Sequence, residues 1–280
     1  KIPTPGDGEV LVKISAAGVG FADSLLVQGL YQVKPELPFY PGGEFAGEVI
    51  DRGAGVVEIQ EGTKVMGMAS GAFSDYLCIR AGDCTEIPTG MSEEIAGGFY
   101  ANYSTALFGL RDCGNLTPGE TILILGASGG VGSSAVAVAK AMGARVIAGA
   151  SNQQKLELAL AAGADEGILY AEPDWRSNLK SLLGKEKLDV VYDPVGGDLS
   201  ETAFRSLSPG GRFLVVGFAS GTIPSIPLNL PLLKQSAIVG VDWGGAMRTD
   251  RALTPALQKT LLGWIEDRRL EPAPVFTEAL

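Results

Sequence analysis

A chain of 280 residues, 46% hydrophobic and 19% charged, is long enough for two domains and has the composition of an ordinary globular protein. Its formal net charge of −10 argues against a nucleic-acid partner, because there is no basic stripe to displace phosphate counterions. Histidine is absent, which removes Ser–His hydrolysis, imidazole acid catalysis and every His-containing metal site. No apolar run reaches the roughly 18 residues of a membrane span. Cys78, Cys84 and Cys113 are too few and too scattered for a disulfide framework or a paired zinc motif, and read as reduced thiols of a cytoplasmic protein. Lys1 in place of Met suggests residues beyond both ends, and no targeting segment is legible in those present.

In chain order, residues 9–99 read as β-rich. Short apolar runs at 10–14, 48–51, 64–66 and 76–79 are separated by Gly and Pro turns, and glycines crowd 42–62, as a compact, bulged barrel-like domain requires. Ser92 is placed to cap a helix. From about residue 99 helices and strands alternate. Strands are expected at 121–125, 145–148, 167–170, 189–192, 212–216 and 237–241, with helices at 103–112, 130–142, 152–162, 174–183 and 200–207. Six strands joined by crossover helices make a doubly wound parallel sheet. A last amphipathic helix at 254–267 is expected to pack back on the first domain. The expected division is therefore 1–98 with 244–280, and 99–243.

The stretch with the sharpest chemistry is Thr121-Ile-Leu-Ile-Leu-Gly-Ala-Ser-Gly-Gly-Val-Gly132. A buried strand, a glycine turn and a small-residue helix leave backbone N–H groups at the helix N-terminus, which suits the pyrophosphate of a dinucleotide. Ala127, Ser128, Gly129, Gly130, Val131 and Gly132 are the expected contacts. After the second strand, an NAD site usually carries an Asp or Glu for the ribose 2′-hydroxyl. Here the segment reads Gly149-Ala-Ser-Asn-Gln-Gln-Lys155, with no carboxylate to repel a 2′-phosphate. Ser151 and Lys155 can bind one, and Tyr170, closing the third strand, lies beside the same pocket. That points to NADPH, against the competing reading of a capped helix with a solvated lysine. Phe218 follows the fifth strand, at the carboxyl end of the sheet where such folds bind ligand.

These residues resemble the zinc-independent quinone oxidoreductase branch of the medium-chain dehydrogenase/reductase superfamily. The matching stretches are Pro-Gly-Asp-Gly-Glu-Val-Leu-Val-Lys (5–13), Ala-Gly-Val-Gly-Phe-Ala-Asp (17–23), Gly-Leu-Tyr (29–31) and Pro-Gly-Gly-Glu-Phe-Ala-Gly (41–47). They continue with the glycine turn (118–132), Asp-Pro-Val-Gly-Gly (193–197) and Leu-Leu-Lys (232–234), in order across almost the whole chain. The resemblance implies a GroES-like catalytic domain beside a Rossmann domain, with NADPH delivering hydride to a quinone or an α,β-unsaturated carbonyl. It sets Ala127, Gly129 and Gly132 at the dinucleotide glycine positions and Ser151, Lys155 and Tyr170 at the 2′-phosphate. It sets Tyr31 and Thr105 near the nicotinamide, and Phe218, Asp242 and Trp243 on the cofactor's far side. Zinc-using relatives hold Cys where this chain has Gly20 and His where it has Gly43, so no metal is expected. Quinone reductases commonly have Asn at the Gly20 position, and its loss widens the substrate pocket.

Hydride chemistry belongs to the cofactor, and a quinone acceptor needs no strong acid. An enone would need a donor for its developing oxygen, for which Tyr31, Thr105, a backbone N–H and the ribose hydroxyl are candidates. The alternatives are an enoyl-thioester reductase, mildly disfavoured by the acidic charge, and a protein that binds NADPH without catalysis. The apolar strand 237–241, at the edge of the sheet, invites pairing with a second copy, and the resemblance likewise implies a homodimer.

Overall fold

The computed structural model describes residues 2–279, which form two compact units: the residues up to Ala101 with those from Pro274 onward, and Asn102–Ala273.

The first unit contains β1 (Glu9–Ala17), α1 (Phe21–Val27), β2 (Glu44–Arg52), β3 (Lys64–Met68), β4 (Tyr76–Arg80), β5 (Cys84–Glu86) and α2 (Glu93–Gly97). Its strands form one antiparallel sheet in the order β4-β1-β2-β3-β5. Val10, Val12, Phe45, Val49, Val65 and Ile79 supply its core. The register between β1 and β2 shifts twice, at Leu11/Val12 and Ile14/Ala16, so the bulges expected from the glycine density are present. Ser92 caps α2 through Oγ, which accepts from the Ile95 N–H. α1 was not expected from the sequence; it opens at Gly20, whose N–H donates to the Asp23 carboxylate at 2.8 Å.

The second unit takes up α3 (Tyr100–Leu107), which runs on into a wider π-helical turn, Phe108–Cys113, where one continuous helix was expected. There follow β6 (Thr121–Leu125), α4 (Gly130–Ala141), β7 (Arg145–Ala150), α5 (Gln153–Ala161), β8 (Glu166–Leu169), α6 (Trp175–Leu183) and β9 (Val190–Asp193). The unit continues through α7 (Leu199–Ser206), β10 (Arg212–Val215), α8 (Asn229–Lys234), β11 (Ala237–Gly240), α9 (Trp243–Thr249) and α10 (Leu253–Glu266). The six strands are parallel, in the order β11-β10-β9-β6-β7-β8. β6, the first of them in sequence, is therefore central, and the chain leaves it in both directions, which opens a crevice at the carboxyl ends of β6 and β9. Leu123, Ile147, Leu179, Val191, Phe204 and Phe213 pack between sheet and helices.

One boundary needs correcting. Residues 244–273, expected with the first domain, belong to the second compact unit. Leu257 and Leu261 of α10 are buried, Arg269 Nε donates to the Ala141 carbonyl at the end of α4 (2.6 Å), and the Ala273 N–H donates to Tyr103 Oη (2.7 Å). A cation at a helix C-terminus satisfies a carbonyl that has no helical partner, so this segment is tied to the parallel sheet's own helices.

Candidate functional site

The glycine turn sits where the order of strands reverses. β6 ends in a fully buried run, and Gly126 turns the chain with φ +60°, a conformation open to glycine. The Gly129 N–H donates back to the Gly126 carbonyl at 3.0 Å, and Gly129 caps α4. A Cβ on Gly132 would lie 2.1 Å from that same carbonyl oxygen, so α4 can approach the turn only because residue 132 has no side chain. The N–H groups of Gly130, Val131 and Gly132 form the first turn of the helix, where no intrahelical acceptor exists. Gly129 and Gly130 are exposed, Val131 is half-buried and Gly132 is buried, so the turn opens onto solvent at its glycine pair. Ala127 is buried and its N–H is bonded to the Gly149 carbonyl, which ties the turn to β7, while Ser128 is half-buried within it.

The residues expected at the 2′-phosphate stand at or just after the ends of the neighbouring strands β7 and β8. Asn152 caps α5, its Oδ1 accepting from the Lys155 N–H at 2.9 Å, which puts Lys155 on the exposed first turn of that helix. Tyr170 follows β8, its N–H bonded to the Ala150 carbonyl, and its hydroxyl shares a hydrogen bond with the Ser151 side chain. Burial raises the Tyr170 phenol above its ordinary range, so it stays a neutral donor. Two hydroxyls thus pair at neighbouring strand ends, and Lys155 lies on the helix turn that follows the first of them.

At the end of β9 the buried Asp193 accepts from the Val195 and Gly196 N–H groups (2.8 Å each) and from Ser200 Oγ (2.6 Å). This fixes the 194–197 turn. Val195 lies against Gly126, and Phe218 packs against Gly196. Ala219 and Ser220 donate to the Pro194 and Val195 carbonyls, so the Phe218 loop is bound to the same turn. After β11, Asp242 is exposed and caps α9 by accepting from the Gly245 N–H at 2.8 Å. Trp243 is buried, and its indole N–H has no acceptor among the described residues. Thr105 is half-buried on α3, in the same unit as the glycine turn, whereas the half-buried Tyr31 belongs to the other unit, in the loop after α1.

Sequence reasoning missed three residues. Asp193 could have been found as the carboxylate opening Asp-Pro-Val-Gly-Gly at a strand end. Asn102, whose amide lies against Gly130, carries no such signal. Glu44, in the first unit, is buried, with Oε2 accepting from the Ala101 N–H at 2.9 Å. Loss of water and, to a smaller extent, the charge of Asp23 push its carboxyl up to about 7, against the pull of the Ala101 and Tyr100 N–H groups. All three cysteines are free, and burial raises their thiols, Cys84 to about 12, so they behave as small apolar groups.

The donor set fits a phosphorylated dinucleotide: unpartnered first-turn amides beside an open glycine pair, then hydroxyls and a lysine one strand away. Among the described residues no helix is long and apolar enough to cross a membrane. Residues 6–108 match the alcohol dehydrogenase GroES-like domain, and residues 130–259 match the zinc-binding dehydrogenase family. The chain is 36% identical over 273 residues to quinone oxidoreductase-like protein 2 of Rattus norvegicus, covering 96% of this chain and 78% of that protein. It is 36% identical over 257 residues to quinone oxidoreductase 1 of Escherichia coli (strain K12), covering 90% and 78%. The solved structure of Escherichia coli quinone oxidoreductase complexed with NADPH superposes with a TM-score of 0.82 at 32% identity, covering 96% of this chain and 83% of that one.

Proposed function

The chain belongs to the quinone oxidoreductase branch of the medium-chain dehydrogenase/reductase superfamily, and on that premise we propose that it is a metal-independent, NADPH-dependent reductase of quinones or α,β-unsaturated carbonyls. The observation that supports this reading is the pairing of the Ser151 and Tyr170 side chains at neighbouring strand ends, with Lys155 on the first turn of α5 and no carboxylate among the three. Bound NADPH would supply the hydride. The first-turn amides of α4 hold the pyrophosphate, and Ser151, Tyr170 and Lys155 hold the 2′-phosphate. The Asp193 turn keeps the Phe218 loop in place along the cofactor, with Asp242 and Trp243 beyond it. Thr105 serves the nicotinamide end, where a hydroxyl can donate to an oxygen gaining charge. Gly20 and Gly43 offer no metal ligand at the positions where zinc-using relatives have Cys and His, which supports chemistry without a metal.

The cofactor choice has a direct test. Lys155→Ala removes one charge-assisted contact and is expected to weaken NADPH by about 1–2 kcal/mol while leaving NADH nearly unchanged, as measured by equilibrium titration. Equal weakening of both cofactors would contradict the assignment.

We also propose a homodimer. Among the described residues β11 pairs only with β10, and Ala237, Ile238 and Gly240 on it are exposed, as are Leu232 and Leu233 of α8. An open apolar edge of this kind is completed by a second copy. Sedimentation as a monomer would remove that reading.

A further inference from the structure

We propose that Asn102 is a second anchor of the dinucleotide, its side-chain amide donating to a phosphate or ribose oxygen held over the N-terminus of α4; the proposal rests on the cofactor reading above. A Cβ built on Gly130 would lie 3.1 Å from Asn102 Nδ2, 3.2 Å from Oδ1 and 3.3 Å from Cγ. The whole carboxamide therefore lies close against Gly130, the first residue of α4.

The same contact bears on the glycine at position 130. It is not among the glycines with positive φ, so its backbone conformation does not call for glycine. What a side chain there would meet is the Asn102 amide, which would have to give way by a few tenths of an ångström. Residue 130 is bare because Asn102 occupies the adjoining space. Asn102 is half-buried and Gly130 exposed, so this contact lies at the mouth of the turn and not beneath it.

The residue type fits the task. A carboxamide has two N–H donors and carries no charge, so it can donate to a phosphate oxygen and still keep a bond within the protein. An aspartate of almost the same shape would repel the phosphate. Asn102 and Thr105 are three residues apart on α3 and so share a face of that helix. The face that presents Asn102 to the phosphates also presents Thr105 to the position assigned to the nicotinamide end.

The pyrophosphate and its riboses are common to both nicotinamide cofactors, which separates this role from that of Lys155. Wild-type protein and Asn102→Ala are each titrated with NADPH and with NADH, and the melting temperature of each is measured without cofactor. The proposal predicts that Kd rises by a common factor of about ten for the two cofactors, at an unchanged cofactor-free melting temperature. Unchanged Kd values, or a loss confined to NADPH, would overturn it. If Asn102→Ala lowers the melting temperature, Asn102→Asp retains the packing and replaces the donors with a negative charge. It must then weaken both cofactors more than the alanine does, and binding at wild-type strength would overturn the proposal. Failure of the wild-type protein to bind either cofactor would overturn the cofactor reading and this proposal with it. Normal wild-type binding with unimpaired Asn102 variants would remove the Asn102 role alone.

Discussion

Gly132→Ala is expected to abolish dinucleotide binding and to destabilise the fold by about 3 kcal/mol, the upper part of the range for overpacking a close-packed site. The added methyl would lie 2.1 Å from the Gly126 carbonyl oxygen, 2.8 Å from its carbon and 2.9 Å from Ala127 Cα. All three are backbone atoms, so no side chain can swing aside. Gly126 is itself held at the end of β6 in a left-handed conformation, and the Ala127 N–H is tied to β7, so the turn cannot yield either. The remaining response is for α4 to lift away, which takes its first-turn N–H groups off the pyrophosphate. Gly129→Ala is the control for stability. Its methyl would meet the Gly126 carbonyl oxygen at an ordinary 3.4 Å, and its melting temperature should stay close to wild type. Thermal unfolding and NADPH titration of the two variants check this, and full-affinity binding by Gly132→Ala would contradict it.

The second large effect is a pH dependence set by Glu44. Its carboxyl is raised from 4.5 to about 7, chiefly because the buried carboxylate has lost its water. A carboxyl that binds its proton more tightly in the folded state than in the unfolded one favours folding at low pH. Its contribution is fully present below about pH 4.5, falls as pH rises through about 7, and is absent above that. The difference between the two limits is about 3 kcal/mol at 1.36 kcal/mol per unit. Glu44→Gln keeps an acceptor for the Ala101 N–H and removes the charge. The stability of the wild type relative to Glu44→Gln is therefore expected to decline between pH 5 and pH 8, with the variant gaining the advantage at the alkaline end. A stability difference that stays constant across that range would show that the Glu44 proton is not linked to folding.

The parallel sheet was legible in the sequence because its central strands are short buried apolar runs and the helices α4 to α7 are each followed closely by Gly or Pro. β6, α4 and β7 were placed to within two residues, since a buried strand followed by a glycine turn leaves few alternatives. Two helices, α1 and α9, lacked such signals. α1 is seven residues long, buries none of them completely and is started by a glycine, so neither periodicity nor a side-chain cap marks it. α9 begins Trp-Gly-Gly, which reads as a turn until Asp242 is seen to cap it. The docking of 244–273 on the second unit includes contacts that span 128 and 170 positions, Arg269 to Ala141 and Ala273 to Tyr103, and no local pattern reports contacts that distant.

The site divides in the same way. Ser151, Lys155 and Tyr170 were legible because two of them flank one strand end and the third closes the next strand in the sheet. Asp193 was visible only as part of a motif, and its role depends on two amides and a hydroxyl that converge after folding. Asn102 was not legible at all. Its neighbour Gly130 is 28 positions away, and only the packing of α3 beside the glycine turn brings the two together.

Protein dialysed against a chelator, mixed with NADPH or NADH and a panel of quinones, enones and enoyl-thioesters, tests the central claim most directly. The reading predicts rapid oxidation of NADPH by a quinone or enone, much slower oxidation of NADH, and no loss of rate on chelation. Tight NADPH binding with no hydride transfer to any acceptor would contradict it, as would activity that disappears with the metal.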